Sequence, residues 1–384
     1  MNKTQHIAIN GLFLRKSGTG IGQVTKYFLE ELAKKPGEGT PYTVYVDDQE
    51  SVCALGTTGK IVYLQPWRKR DDLIRKMLWE HIQLPKKALA DEVTHFLSLY
   101  QAPTEFPKFV QHTMLVHDVI PEIFPQYLGR MRNRFMWNLT KRAARAATHL
   151  VAVSNSTKRD IEKYFGIEAE KISVAYPSIN PIFFEEGNKE QDQKILEKYT
   201  LTPGYLYHGG GLEIRKNTQS LLYAYAAWYE SVSEKSTVPP LVISGTVHSA
   251  NNPLATDVRG LVEALHLEEQ VKILGFVPDG YLPALYRGAA LFIFPTLYEG
   301  FGMPVVEALS QGTAVMALQN SSLLEVGGNA VYFTNEINKD SLIQQYQLAQ
   351  GATVEERGVR IMQAKNFSSW ELFTEKISNI LVQY

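Results

Sequence analysis

The chain alternates short apolar segments with helical segments in two successive series, and this alternation constrains the fold more than any other feature. Six candidate strands form the first series, at residues 6–10, 42–46, 61–64, 95–97, 113–116 and 149–153. Five form the second, at residues 205–207, 240–243, 271–274, 291–294 and 314–317. Short apolar strands separated by helices are typical of parallel sheets with crossover helices. The sequence therefore predicts an α/β protein with two Rossmann-like domains.

A segment with two prolines, residues 175–188, separates the two series and is typical of a linker. With 384 residues the chain is also too long for one typical core. We predict a first Rossmann-like domain at residues 1–180 and a second at 181–365, facing each other across a cleft. Residues 366–384 have the pattern of an amphipathic helix. Ligands are expected at loops that follow strands.

Composition places the chain among ordinary globular proteins, with 45% hydrophobic and 21% charged residues. No apolar run is long enough to span a bilayer, and residues 1–6 lack the apolar region of a secretory signal. The single cysteine, Cys53, excludes an internal disulfide and a multi-cysteine zinc site. We therefore expect a reducing, cytoplasmic location.

Charge is distributed unevenly along the chain. The first 180 residues carry 25 Lys and Arg against 18 Asp and Glu, and the remainder carry 14 against 22. Two segments, 67–79 and 130–145, mix basic and aromatic residues at roughly helical spacing. Such a face suits anionic lipid headgroups, which predicts peripheral contact with the inner face of the cytoplasmic membrane. The alternative is an ordinary amphipathic helix with a solvated basic face. The excess is too modest to predict nucleic-acid binding.

Two carboxylates, Glu299 and Glu307, lie eight positions apart behind a glycine-rich turn. Gly300 and Gly302 permit a tight loop, and Pro304 suits the first turn of a helix. Unpaired N–H groups and the positive dipole end at a helix start favour a phosphate group. The two carboxylates would then flank an anion site and accept hydrogen bonds from hydroxyl groups, which fits a nucleotide sugar.

Residues 295–309, followed by 311–315, resemble the signature of retaining glycosyltransferase family 4, whose members have the two-domain GT-B fold. If the two glutamates stood alone, Glu299 would be explained as a favourable partner of the helix dipole and Glu307 as a solvated helix residue. The complete string of residues 295–309 instead favours membership of the family. The resemblance runs nearest to bacterial mannosyl- and rhamnosyltransferases. It implies that the first domain binds the acceptor, that the second binds the donor, and that the C-terminal helix crosses back onto the first domain.

The same resemblance assigns roles to the residues of this motif. It implies that Glu299 contacts the donor sugar near the reacting centre and that Glu307 holds the nucleotide ribose. The helix start formed by Gly300, Phe301 and Gly302 would stabilise the leaving diphosphate.

A second glycine-rich turn, residues 15–23, follows the first predicted strand. Gly20 and Gly22 would let backbone N–H groups approach a phosphate. The turn lacks the full G-x-G-x-x-G pattern because Gln23 stands where the third glycine would be, and this disfavours a nicotinamide site. The turn resembles the family element whose amides meet the donor diphosphate.

Two further loops of the second domain predict donor contacts. Arg215 and Lys216 are well suited to neutralise a diphosphate and resemble the family's Arg-Lys pair. Many members carry another basic residue about six positions before the Lys, where this chain has Gly210. Phe276 and Val277 resemble the base-contacting loop; a simple turn is the alternative.

In the first domain His117 and Asp118 follow a predicted strand. A histidine titrating near neutrality could donate to a sugar hydroxyl or a phosphate, with Asp118 orienting it. The pair resembles the family motif whose histidine lies beside the transferred sugar. Ser154 and Ser156 resemble an adjoining loop on the acceptor side, although a helix-capping role is the favoured interpretation.

These parts predict transfer of a hexose, with retention at the anomeric carbon, from a nucleotide diphosphate sugar to a saccharide or lipid-linked saccharide in surface polysaccharide synthesis. GDP-mannose is the first choice of donor, with UDP- and dTDP-sugars as alternatives. No metal or other cofactor is predicted, because the chain lacks an Asp-x-Asp pair. An epimerase of the same architecture and a catalytically silent nucleotide-binding protein are the other hypotheses.

Overall fold

The computed structural model describes residues 5–34, 42–48, 59–67, 72–249 and 251–383. They belong to two compact units, the first comprising Met1–Ser178 with Ser369–Tyr384 and the second Ile179–Ser368. The boundary after Ser178 falls within the segment predicted as a linker. Cys53 and residues 68–70 of the first basic segment lie outside the described residues.

The first unit is built on a seven-stranded parallel sheet. Its strand order is β3-β2-β1-β4-β5-β6-β7, in which Ile9 pairs with both Val44 and Leu97. The strands are β1 (Ile7–Asn10), β2 (Tyr42–Val46), β3 (Lys60–Tyr63), β4 (His95–Ser98), β5 (Gln111–Val116), β6 (His149–Ala152) and β7 (Ile172–Val174). All six predicted strands are present. The seventh, β7, was not predicted, because three residues at a sheet edge carry too little pattern.

Helices cover this sheet. They are α1 (Gly20–Ala33), α2 (Asp72–Leu78), α3 (Leu84–Ala90), α4 (Ile120–Ile123), α5 (Met131–Ala146) and α6 (Asn155–Phe165). One turn of π-helix, Trp79–Gln83, joins α2 to α3. The basic residues of segment 130–145 lie on α5, except Arg130, which is its N-cap residue. The helical spacing predicted for this segment is confirmed.

The second unit repeats the architecture with a six-stranded parallel sheet in the order β10-β9-β8-β11-β12-β13. The strands are β8 (Tyr205–His208), β9 (Leu241–Ser244), β10 (Val271–Gly275), β11 (Ala289–Phe294), β12 (Val315–Leu318) and β13 (Tyr332–Thr334). Its helices are α7 (Lys189–Lys198), α8 (Thr218–Ser231), α9 (Val258–Ala264), α10 (Leu282–Gly288), α11 (Met303–Ser310), α12 (Leu323–Gly327), α13 (Lys339–Gln350) and α14 (Val354–Lys365). Burial of both sheet faces explains the near-continuous apolar strands.

The last helix, α15 (Trp370–Gln383), packs on α1 of the first unit. The Trp370 ring stacks on Tyr27 with centroids 5.1 Å apart, and Phe373 meets Phe28 edge-on at 6.4 Å. The predicted return of the C-terminal helix to the first domain is confirmed.

The predicted linker is more ordered than its sequence indicated. It contains a short 3-10 helix, Pro181–Phe184, whose Phe183 is buried. The Gln311 amide donates to the Phe183 carbonyl oxygen at 2.5 Å, so this segment is bonded to the end of α11. Among the described residues, no helix is long and apolar enough to cross a membrane.

Candidate active site

Three loops of the second unit meet at one edge of its sheet. They follow β8, β11 and β12, which are neighbours in the order β8-β11-β12. Carboxyl ends of parallel strands lie at the same edge, and ligands of open α/β sheets bind there. Of the predicted donor-binding residues, Arg215 and Lys216 lie on the first of these loops, and residues 300–302 lie with Glu299 on the second.

Glu299 is at the centre of this edge. Its Oε1 atom accepts hydrogen bonds from Arg215 Nη1 at 2.6 Å, Lys216 Nζ at 2.7 Å and Thr296 Oγ1 at 2.9 Å. Burial raises the pKa of Glu299, but the charges of Lys216 and Arg215 and the hydrogen bonds outweigh it and lower the pKa to about 2. The two neighbouring cations therefore favour the ionised form of Glu299.

The two basic residues are held tightly. Lys216 is 4% exposed, and its ammonium group lies 4.8 Å from the centre of the Phe294 ring. Burial lowers the pKa of Lys216, while the charge of Glu299 opposes this shift. Arg215 also reaches Glu213 Oε2 at 2.8 Å. Paired cations near the start of α8 are thus balanced by carboxylates of the chain itself, a partnership that the sequence pattern did not reveal.

A loop after β12, here called the serine loop (residues 319–322), fixes the backbone of Glu299. Ser321 Oγ accepts from the Glu299 N–H at 3.1 Å, and Ser322 Oγ donates to the carbonyl oxygens of Glu299 at 3.0 Å and Phe301 at 2.7 Å. Ser321 has a φ of 44°, an uncommon conformation that is often retained at functional sites. These serines were missed, because only their position after a strand marks them.

The start of α11 depends on Gly302. Its φ of 105° is in the left-handed region, and a Cβ atom there would lie 2.9 Å from Leu323 Cδ2. The preceding Phe301 is buried and its ring meets Phe367 at 5.4 Å. Gly300 and Gly302 therefore lie in the tight loop that the sequence predicted, directly before the helix.

Glu307 lies in the second turn of α11, as predicted. Its Oε2 atom accepts a hydrogen bond from the Tyr286 hydroxyl at 2.9 Å. Burial raises the pKa of Glu307 to about 7, although the hydrogen bond from Tyr286 favours the ionised form. The two glutamates of the motif thus have opposite electrostatic environments.

Gly210 explains the departure from the family pattern. Its φ is 90°, and a Cβ atom would lie 2.8 Å from Pro304 Cγ and 3.2 Å from Phe294 Cε2. A basic side chain at this position would have to displace the start of α11. Any diphosphate bound here would rely on Arg215, Lys216 and backbone groups.

The predicted base-contacting loop presents its two residues differently. Phe276 is 72% exposed, whereas Val277 is buried at 5%. The Phe276 ring is therefore available for stacking, and Val277 would contribute backbone groups only.

In the first unit, α1 begins at Gly20, and Thr19 is its N-cap residue. The Gly22 N–H, which was predicted to approach a phosphate, donates in this structure to Thr19 Oγ1 at 3.1 Å. A Cβ atom at Gly22 would lie 1.9 Å from the Lys16 carbonyl oxygen, so close backbone packing requires the glycine.

His117 differs from its prediction in charge and in partner. Its Nε2 atom lies 2.9 Å from the Leu99 carbonyl oxygen, which can only accept, so Nε2 carries the proton and Nδ1 is an acceptor. Burial lowers the pKa of His117 to about 4. The ring is therefore neutral at pH 7 and is oriented by Leu99. Asp118 Oδ1 instead accepts from the Ile120 N–H at 3.0 Å, at the start of α4.

Ser154 is the N-cap of α6, which confirms the favoured interpretation. Its Oγ atom accepts from the Thr157 N–H at 3.0 Å and the residue is fully buried. Ser156 is buried within the first turn, so it is not a cap. Burial of both hydroxyl groups argues against direct acceptor contact. In the described part of the chain, no group of three or more His, Cys, Asp or Glu side chains is placed to hold a metal ion.

Comparison with known proteins identifies the family. Residues 188–349 match the model described as Glycosyl transferases group 1, and residues 18–182 match Glycosyltransferase Family 4. O-antigen chain mannosyltransferase B of Escherichia coli is 32% identical over 271 residues, which are 68% of this chain and 68% of that protein. The chain belongs to glycosyltransferase family 4. It is therefore a member of a family of retaining hexosyltransferases.

Other relatives agree with this assignment. The family 4 chain is 27% identical to O-antigen chain mannosyltransferase RfbU of Salmonella typhimurium over 236 residues, covering 61% of this chain and 60% of that protein. A glycosyltransferase of Rickettsia africae has a similar structure, with a TM-score of 0.70 at 16% identity and coverage of 100% of this chain and 99% of that one. HepE of Anabaena, solved with UDP-glucose, gives a TM-score of 0.72 at 17% identity and covers 99% of this chain and 100% of its own. The fold is GT-B.

Proposed function

We propose that this family 4 enzyme transfers a hexose, with retention, from a nucleotide diphosphate sugar to a saccharide or lipid-linked saccharide in surface polysaccharide synthesis. The observation that carries the proposal is the contact of Glu299 with both Arg215 and Lys216 at the carboxyl edge of the second sheet. One anion and two cations are thereby held at the place where a sugar and its diphosphate would meet.

The chemistry follows from these charges. Departure of the diphosphate builds negative charge, which Arg215, Lys216 and the start of α11 would stabilise. Among the described residues, the three donors to the Glu299 carboxylate all reach Oε1, so Oε2 is the oxygen suited to accept a hydrogen bond from a sugar hydroxyl. The charges of Lys216 and Arg215 hold the pKa of Glu299 low and so favour a charged acceptor. The role of His117 beside the transferred sugar stays a prediction from the family resemblance.

GDP-mannose is the first choice of donor because relatives at 32% and 27% identity are named mannosyltransferases. UDP- and dTDP-sugars are the alternatives, and HepE was solved with UDP-glucose. The exposed Phe276 ring would stack on any of these bases, so it does not discriminate among them.

Membrane contact of the first unit is part of the proposal. On α5, Met131 and Phe135 are 86% and 57% exposed and lie one turn apart, and the exposed Arg130 and Arg134 directly precede them in sequence. An apolar pair flanked by cations suits the anionic inner face of the cytoplasmic membrane. We expect co-sedimentation with anionic vesicles at low salt and its loss in Phe135→Ser. Phe109→Ser, which removes another exposed aromatic ring, is the control. Absence of vesicle binding by the unaltered protein would refute this contact.

The test of the proposed reaction is a thermal-shift and donor-hydrolysis screen with GDP-mannose, UDP-glucose and dTDP-rhamnose. We expect one nucleotide class to raise the unfolding temperature and its sugar to be released or transferred, with activity unchanged by a chelator. No response to any donor would overturn the proposal. Conversion of a free nucleotide sugar into its epimer without sugar release would favour the epimerase.

A further inference from the structure

Tyr286 is buried in the second unit beside Glu307, and no sequence pattern marks it as functional. It lies in the middle of α10 and is 2% exposed. Its hydroxyl donates to Glu307 Oε2 at 2.9 Å. Among the described residues, this is the hydrogen bond that the Glu307 side chain receives. The position of one carboxylate oxygen therefore depends on this hydroxyl.

The Tyr286 ring has little freedom to move. Its centroid lies 5.0 Å from Phe292, 5.3 Å from Tyr207 and 6.0 Å from Phe183. Thr313 Oγ1 donates to its backbone carbonyl oxygen at 2.8 Å. A ring enclosed on three sides holds its hydroxyl in one place, which is how a supporting residue preorganises a binding group.

The charged groups around Glu307 make this hydroxyl important. Asp279, in the short helix before α10, raises the pKa of Glu307, and Lys216, after β8, lowers it. Arg287 of α10 instead pairs with Asp192 of α7 and reaches Gln311, the C-cap residue of α11. Arg357 of α14 donates to the Gln311 carbonyl oxygen. In the described part of the chain, the Tyr286 hydroxyl is thus the group that both contacts the Glu307 carboxylate and favours its charged form.

We infer that Tyr286 is a positioning residue of the nucleotide site, whose hydroxyl orients the Glu307 carboxylate so that it accepts hydrogen bonds from the hydroxyl groups of a ribose. This inference rests on the proposed function, because it takes the ligand to be a ribonucleoside diphosphate. It goes beyond that function by assigning the orientation of Glu307 to the Tyr286 hydroxyl and the contact of Glu307 to the ribose.

The test compares GDP with 2′,3′-dideoxy-GDP by isothermal titration calorimetry at pH 6 and pH 8. In Tyr286→Phe we expect the Kd for GDP to rise about tenfold at pH 8, as for one lost hydrogen bond to a charged group. The Kd for GDP of this variant, divided by that of the unaltered enzyme, should be larger at pH 6 than at pH 8. Without the Tyr286 hydroxyl the Glu307 carboxylate binds its proton more tightly. The dideoxy nucleotide should change less than about twofold, since it lacks the ribose hydroxyl groups.

Tyr207→Phe is the matched control. It removes a buried hydroxyl from the same aromatic cluster, but that hydroxyl pairs with Ser244 Oγ at 2.7 Å and does not contact Glu307. The Kd for GDP should stay within about twofold of that of the unaltered enzyme. An equal loss of GDP and dideoxy-GDP binding by Tyr286→Phe, or no loss, would overturn the inference.

Glu307→Gln gives a second test that does not depend on the folding of the tyrosine variant. In it the affinity for GDP relative to that for 2′,3′-dideoxy-GDP, which carries the same titrating terminal phosphate, should no longer depend on pH between pH 6 and pH 8. A ratio that still changed with pH would contradict the inference. If the unaltered enzyme binds none of GDP, UDP and dTDP, the proposed function itself fails. The two failures are therefore distinguishable.

Discussion

Glu299 balances two cations with one oxygen, and this predicts the outcome of a conservative substitution. Glu299→Gln keeps the shape but removes the charge that Arg215 and Lys216 share. We expect kcat to fall by about a hundredfold or more, the usual cost of losing one charge-stabilising group in an active site. Glu269→Gln, at an exposed position, should leave kcat unchanged. Steady-state kinetics with the preferred donor checks this, and a kcat within threefold of the unaltered enzyme would refute the role of Glu299.

The buried His208 should make the second unit less stable against unfolding in acid. It is fully buried between the Ile293 carbonyl oxygen and Thr218 Oγ1, and burial lowers its pKa to about 4. The unfolded chain binds the proton near pH 6.5, so its stabilising effect is present above that pH and is lost as the pH falls towards 4. From pH 7 to pH 5 the loss is about 2 kcal/mol.

We expect His208→Gln to be less stable at pH 7 but to lose less stability on acidification. Thermal unfolding of the second unit at pH 7 and pH 5 measures this. An equal acid-induced decrease in both proteins would show that other groups dominate.

For individual residues, the sequence predicted which residue types form the site better than it predicted their charge and hydrogen-bond partners. Glu299, Arg215 and Lys216 lie together as a donor site requires. The charge and tautomer of His117, however, depend on a carbonyl oxygen of Leu99, eighteen positions away. Gly22 was assigned to phosphate binding, but its requirement comes from the Lys16 backbone. Such contacts arise from tertiary geometry and leave no local pattern.

The helix α11 begins directly after Gly302, and its start should depend on that glycine. Gly302→Ala would place a methyl group 2.9 Å from Leu323 Cδ2 at a φ of 105°. We expect a loss of about 1–3 kcal/mol in stability, the usual cost of a strained backbone, together with weaker nucleotide binding. Gly358→Ala in α14 is the control, because nothing lies within 4 Å of its Cβ position. That change should be neutral or stabilising.

Thermal unfolding and nucleotide titration of the two glycine variants decide the matter. If Gly302→Ala binds nucleotide as tightly as Gly358→Ala does, the geometry of this helix start is not required for binding.

Elements with a clear apolar pattern were predicted, and those defined by partners were not. Eleven strands lie at or within two residues of their predicted bounds, whereas the three-residue edge strands β7 and β13 were missed. The serine loop was also missed, because its function depends on the Glu299 backbone about twenty residues earlier. The apolar pattern of a strand is local, but the contacts that hold the Glu299 loop come from residues distant in sequence.

The chain forms two units, and the first consists of two stretches of sequence that lie on either side of the second. The last sixteen residues belong to the first unit, although they follow the second in sequence. The apolar spacing of residues 366–384 predicts a helix, but only the resemblance to family 4 predicts where it docks. Its packing on α1 means that the stability of the first unit depends on the end of the chain.

Phe373 tests that dependence. It is 2% exposed and meets both Phe28 and Trp370, so Phe373→Ala should destabilise the first unit by about 3–5 kcal/mol. The neighbouring Leu372 is 66% exposed, and Leu372→Ala should change stability by less than about 0.5 kcal/mol. Differential scanning calorimetry with and without nucleotide separates the two units, because a bound nucleotide raises the transition of the unit that binds it. A decrease confined to the nucleotide-sensitive transition in Phe373→Ala would contradict the assignment of α15 to the first unit, since that variant should lower the other transition.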